Sequence, residues 1–471
     1  MGRRPLAYLW LHIFHSPSDD DLARLHRKAR KEETVMKGLW RNGASLLFPL
    51  FCWPLLTGCW DRLDPENMAF IMAIGVDQGP RNDYIYTFAV AMPKSSSGAA
   101  GGGGGGSNDS SQKIVDVFSV EGDNLAATLL ASQSFVARRL TLIHSKVFVL
   151  GEGIARQGVM PVLSEVVRND EFRRTVNILT TKGQANAFIQ HIKPKMEKDI
   201  NLWFELELDP HNIGAVTPRN SRFHDFIADM EQPGTGGMTI LSAASPDVDK
   251  GKGNISDGED SSESESEPPI TGDQYAGSLR RSGEVPVDFF GSAVYKGQKL
   301  AGFLTGAETK TLNMLRGEFE KTIWEFRDPS DPKYNLSINM NSQKKARMNL
   351  KRTKDQIRVT FHVQMEGDLM GSLSTVDYTQ PENRKKLERS IENQMQDRAS
   401  DLLDKTLYKW ESDCFHIGNR LRANFPTLQK WYAYKWREHI KETKYELDIR
   451  FRMRRHGDQV GPAVEGDKLK K

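Results

Sequence analysis

The chain is poor in cysteine, with three in 471 residues, Cys52, Cys59 and Cys414. Cys52 lies inside an apolar export segment, Cys59 at its end is consumed by modification, and Cys414 is left without a partner. No intrachain disulfide is expected, so stability has to come from burial. Signatures of chemistry are missing too. There is no HExxH, GxSxG or GxxxxGK[ST], and the eleven histidines are scattered. That argues against a metalloprotease, an α/β-hydrolase and a phosphate loop, and no catalytic residue, metal ligand or cofactor is assigned. Net charge is also small. Residues 1 to 58 hold nine Lys/Arg against five Asp/Glu, so losing them takes the formal +3 to −1, without the electrostatic footprint of a nucleic-acid binder. The apolar run Ala44 to Leu56 has thirteen residues, with Pro49 and Pro54 among them, short of the roughly 20 that cross a bilayer.

That run instead has the order of a secretory signal: the cations Lys37 and Arg41, an apolar core, then small residues. It ends in Leu56-Thr57-Gly58-Cys59, which has the bacterial lipobox form. Thr57 and Gly58 let an extended chain lie in a peptidase groove. The Cys59 thiol is the nucleophile that takes diacylglycerol, cleavage falls between Gly58 and Cys59, and the freed amine is open to an N-acyl group. Two acyl chains suffice for stable anchoring on a membrane surface. An ordinary signal peptide with a chance cysteine is the competing reading. Residues 1–35, with a short apolar run Leu6 to Phe14 and a charged segment Asp19 to Glu33, would make the stretch before the core unusually long. A start at Met36 gives a signal of ordinary size, so 1–35 is expected to be a non-native or extra extension and 36–58 the signal peptide.

The mature chain is expected to be α+β and multidomain, with mixed sheets, packed helices and a long helix near the C-terminus. Residues 59–225 form the first α+β region, of one or two subdomains, with a glycine-rich insert at 95–111. A hairpin is expected from Met68 to Val76 and Tyr84 to Met92 around the turn at 78–83. Strands follow at Ile114 to Val120, Leu140 to Leu150 and Thr175 to Thr180, alternating with helices at Asn124 to Arg138, Ile154 to Val167 and Gln184 to Ile192. His144 is read as a packed or edge histidine. Arg168, Arg173 and Arg174, with Asp170 and Glu171 between them, form a charged corner, either a solvated, salt-bridged turn or a partner site.

Residues 226–284 are expected to be a linker, and 246–273 within it, peaking in DGEDSSESESE at 257–267, to be disordered for want of apolar surface. The second domain, 285–456, should contain strands at Val285 to Val294, Lys299 to Leu304, Lys321 to Phe326, Asn335 to Met340, Arg347 to Lys351 and Ile357 to Met365. A helix is expected at Ala307 to Leu315. A long amphipathic helix from Pro381 to Trp410 follows, with Leu387, Ile391, Met395, Leu402 and Leu407 on one side. A helix near Thr427 to His439 and a strand Tyr445 to Met453 close the domain, and 457–471 is a tail.

Several short pieces occur in one order along this chain: Leu56-Thr57-Gly58-Cys59-Trp60-Asp61, Ile74-Gly75-Val76-Asp77, His144-Ser145-Lys146, Gly151-Glu152 with Ala155-Arg156, Arg168 to Arg173, Gly291-Ser292-Ala293-Val294, and Asp413 with Gly418. In that order, and over nearly the whole mature chain, the sequence resembles the Ger(x)C spore germination lipoproteins, the C subunits of nutrient germinant receptors. The resemblance implies a non-catalytic, membrane-anchored α+β subunit acting with two integral-membrane partners in the spore inner membrane. A solute-binding lipoprotein and a surface hydrolase are the alternatives. The extension before Met36, the six glycines at 101–106 and the acidic stretch depart from the family pattern.

Overall fold

The computed structural model describes residues 64–92, 115–245 and 271–455, apart from short gaps at 82, 195–196, 198, 210, 212–215, 280, 282–284 and 354–355. The extension, the signal peptide, Gly58, Cys59, the glycine-rich insert and the tail lie outside the described residues, as does nearly all of the acidic stretch. Two compact units divide at residue 66, and the fold below is that of Asn67–Lys471.

Nine strands build the first sheet: β1 (Met68–Gln78), β2 (Tyr84–Ala91), β3 (Val115–Gly122), β4 (Arg139–Thr141), β5 (Val147–Gly151), β6 (Asn177–Lys182), β7 (Met238–Ala244), β8 (Val287–Lys296) and β9 (Lys299–Leu304). Their order is β3-β2-β1-β5-β6-β7-β8-β9, with β4 beside the start of β1. β1, β5, β6 and β7 are parallel, and antiparallel strands flank them on both sides. Phe148, Val149 and Leu150 of β5 are consecutive and fully buried, as expected of a parallel strand covered on both faces. One face packs against α1 (Leu125–Ser132), α2 (Glu152–Gln157), α3 (Met160–Val166) and α6 (Phe223–Glu231). The other packs against α4 (Ala185–Gln190) and α5 (Ile200–Glu207).

Several expectations are corrected here. The linker does not begin at 226, because α6 runs to Glu231 and β7 pairs with both β6 and β8 inside the sheet. Val285 to Leu304 does not open a separate second domain: β8 and β9 complete the first sheet across the acidic stretch. Thr271–Asp273 forms a 3-10 turn within the stretch expected to be disordered. The run Leu140 to Leu150 is two strands, since Ser145 Oγ donates to Ile71 O at 3.0 Å and the Lys146 amide to Met72 O at 2.8 Å, turning the chain between them. The helix from Asn124 stops at Ser132, and the one from Ile154 to Val167 is broken at Gly158, whose φ is +141°.

The second sheet is β10 (Lys321–Arg327), β11 (Asn335–Arg352), β12 (Ile357–Ser372) and β13 (Thr443–Arg455), in that order. Two helices pack against it, and the first also packs on β8 and β9. Helix α7 (Gly306–Arg316) starts with a Thr305/Glu308 capping box and stops at Gly317 in the left-handed conformation. Helix α8 (Pro381–Leu403) buries Leu387, Ile391, Met395, Ala399 and Leu402 in the second core. On its flank Glu388 and Glu392 accept hydrogen bonds from the Met453 and Phe451 amides, both at 2.9 Å. Two outer amides of edge strand β13 are thereby satisfied. The long helix ends before Trp410: Asp404–Lys409 is a π turn, in which Thr406 Oγ1 donates to Leu402 O and the Trp410 amide bonds five residues back to Lys405 O. The region near Thr427 to His439 is likewise two helices, Leu428–Tyr434 and Trp436–His439, separated by Lys435 at φ +50°.

Candidate functional site

Gly58 and Cys59, the residues assigned to cleavage and lipidation, lie outside the described residues. The other motif residues sit mostly at the joints of the fold. Asp77 ends β1 with its carboxylate under the first turn of α4, accepting from the Ala185 and Asn186 amides at 2.8 Å each. Helix N-termini present unsatisfied amides, and a carboxylate completes them. Burial pushes the Asp77 carboxyl up from its usual range, while these two donors pull the other way. Gly151 lies against that carboxylate, where a Cβ would collide with Oδ1. Asn186 extends the joint to β2 and β3 by donating to Thr87 Oγ1 and Ser119 Oγ.

Asp413 is the second joint. Its fully buried carboxylate accepts from the amides of Phe415 (3.2 Å), Ile417 (3.0 Å) and Gly418 (2.6 Å), and from the Trp436 indole N–H (3.0 Å). Its own carbonyl accepts from the Gly236 amide at 2.8 Å, and neighbouring Ser412 Oγ donates to Tyr295 O at 2.7 Å. The segment after the π turn is thus pinned to β7 and β8. Burial raises the Asp413 carboxyl, and the adjacent Cys414 thiol is pushed up to about 12, which leaves it an inert core group. Gly291 marks a third joint. It has φ +95°, beside a register shift in the β7/β8 ladder, and its Cα lies against Leu304 O.

These are the buried polar groups that the motifs bring together, and burial keeps the thiol beside Asp413 protonated. Among the described residues no three His, Cys, Asp or Glu side chains converge to hold a metal. His144 is exposed in the turn between β4 and β5 rather than within a strand, its ring edge-on to Phe70 at 4.9 Å. No described helix is long and apolar enough to cross a membrane.

Two surface features remain. An open groove at the start of α8 is lined by Lys385, Lys386 and Arg389, with Glu382, Pro329, Ser390 and Asn393. At the end of the first sheet where the chain enters, Met68 stands level with Arg139 of β4. The charged corner is tied to the same place: Glu171 accepts from Arg139 Nη2 and from the Leu142 amide, both at 3.1 Å. Arg138 ended an expected helix and Arg139 fell between it and the next expected strand, and their place at the chain's entry follows only from the parallel pairing of β4 with β1.

Fold and joints together define an α+β protein whose shared motifs hold two mixed sheets in one body. Residues 61–243 match the family described as spore germination protein N-terminal domain, and residues 290–457 the one described as spore germination B3/GerAC like, C-terminal. Spore germination protein B3 of Bacillus subtilis (strain 168) is 22% identical over 411 residues, 84% of this chain and 94% of that protein. Spore germination protein KC of the same strain is 31% identical over 142 residues, 30% of this chain and 34% of that one. The crystal structure of the GerBC protein matches with a TM-score of 0.45 and 16% identity, over 81% of this chain and 96% of that one. The chain belongs to the Ger(x)C family of spore germination proteins.

Proposed function

We propose that the protein is a lipid-anchored, non-catalytic subunit of a spore nutrient germinant receptor, held on the spore inner membrane through Cys59 and working with integral-membrane partner subunits. The observation that carries this is the position of the lipobox. In a chain of this family, Cys59 stands nine residues before Met68, the first residue of the first sheet. Nine residues span at most about 30 Å, so two acyl chains at Cys59 would keep the folded body at the membrane surface. Confinement raises the effective concentration for membrane partners and lets a modest interface suffice. The polar face of α8, with its Lys385, Lys386 and Arg389 groove, is one surface offered to them. A solute-binding lipoprotein is built from two lobes about a cleft; the completion of the first sheet by β8 and β9, from beyond the acidic stretch, speaks for one body instead. The test is purification from spore membranes in detergent. Diacylglycerol on Cys59 by intact mass and co-elution of integral-membrane subunits are expected, and a Cys59 without acyl mass in a protein released to buffer refutes the reading.

A further inference from the structure

The entry end of the first sheet carries a concentration of outward-facing cations. The loop before β6 is held rigidly: Glu171 is tied to Arg139 and Leu142, and buried Phe172 stacks edge-on to Phe148 and Phe223 at 5.9 and 4.8 Å. With its neighbours pinned, this loop turns Arg173 and Arg174 to solvent. Arg138 is also exposed, one residue before the Arg139 that pairs in register with Met68. Arg138, Arg173 and Arg174 make no ion pair among the described residues; of the two carboxylates in the corner, Glu171 is engaged by Arg139 and Asp170 is exposed. Leu130 of α1 is 74% exposed, and Phe135, on the connection from α1 to Arg138, is 59% exposed with its ring edge-on to Phe118 at 5.3 Å.

We propose that Arg138, Arg139, Arg173 and Arg174, with Phe135 three residues before Arg138, form a membrane-facing surface that takes anionic lipid headgroups. This rests on the lipid-anchored reading above, since the chain between Cys59 and Met68 delivers this end of the sheet to the bilayer. Arginines at an anionic surface and apolar side chains at the acyl boundary act together, and both need only a short tether. The surface orients the body on the membrane.

The test uses the acylated protein in nanodiscs of phosphatidylcholine alone and with 30% phosphatidylglycerol, read by hydrogen exchange. Added protection at residues 133–139 and 168–175 is expected in the anionic discs and is lost in 1 M salt, where screening falls to about 3 Å. In parallel, the unacylated chain with Cys59→Ala is sedimented with the same vesicles. The triple variant Arg138→Glu, Arg173→Glu, Arg174→Glu is expected to bind roughly a hundredfold more weakly, about fivefold per arginine. Arg→Gln versions and unchanged urea unfolding guard against a folding defect. Acylated protein whose protection ignores lipid charge, or appears only when integral-membrane subunits are present, overturns the proposal and leaves the anchor standing. Absence of acyl mass refutes the anchor, while the vesicle arm still reports on the surface.

Discussion

Replacing Asp413 by alanine removes one carboxylate and strands four donors: the amides of Phe415, Ile417 and Gly418 and the indole of Trp436. The site is fully buried, so water cannot readily take over. A buried donor left without an acceptor costs about 1–3 kcal/mol, so four exposed to partial relaxation give a loss of about 4 kcal/mol. Against a typical total of about 5–15 kcal/mol, that is about a quarter or more of the stability. Asp413→Asn keeps the volume and sheds the buried charge. Its amide oxygen can serve one pair of donors, but its NH2 faces the other pair, so about half of the loss, ~2 kcal/mol, is expected to remain. Urea unfolding of the Cys59→Ala chain followed by tryptophan fluorescence reads both, with Trp436 itself a reporter of the site. A loss under about 1 kcal/mol for Asp413→Ala, or an Asn variant as stable as the parent, would refute the hub role assigned to this carboxylate.

Lys310 is buried, donates to Ile323 O at 2.8 Å, and has its pKa lowered to about 8 by burial, with Glu325 opposing. A depressed pKa means the unfolded chain holds the proton between about pH 8 and 10.5, so stability rises with pH across that window and the contribution is lost as pH falls through 8; the rise is on the order of 3 kcal/mol. Lys310→Met should flatten that segment of the curve, and an unchanged slope in urea titrations would refute the assignment. Gly291→Ala puts a Cβ against Leu304 O at φ +95° and should cost at least about 2 kcal/mol in the same assay. Deleting Gly101 to Gly106 shortens a connection whose flanks already pair, Ala91 with Val115, and should change stability by less than about 0.5 kcal/mol; a large drop in Tm would show otherwise. Cys59→Ala should abolish acylation, since a methyl group cannot replace the thiol as nucleophile, and acyl mass on the variant would contradict the lipobox reading.

Local chemistry written into the sequence determined much of this protein. The β1/β2 hairpin follows from two apolar runs around a turn. Thr305, Glu308 and Gly317 bound α7 by capping alone, and the stripe Leu387, Ile391, Met395, Leu402 placed α8 on a core. The export junction proposed at Cys59 is likewise read from residue order alone. What the tertiary structure decided is non-local. β7 (MTILSAA) is short, small and buried along almost its whole length, so it has no alternation to read, and it became a strand because β6 and β8 supply its ladder. β11 continues through the exposed Gln343–Lys345 without apolar periodicity, because β12 pairs on both sides of that segment and bulges absorb the slip. The helix expected to reach Trp410 stops at Leu403 because Thr406 bonds back into its last turn and Ser412 and Asp413 are held by the first sheet. Asp77, Gly151, Asp413 and Gly418 could be picked out as a pattern in the chain. Only folding brought Asp77 to the amides of a helix 108 residues away and Asp413 to Gly236 and Trp436, because a carboxylate's role is set by which donors are buried with it.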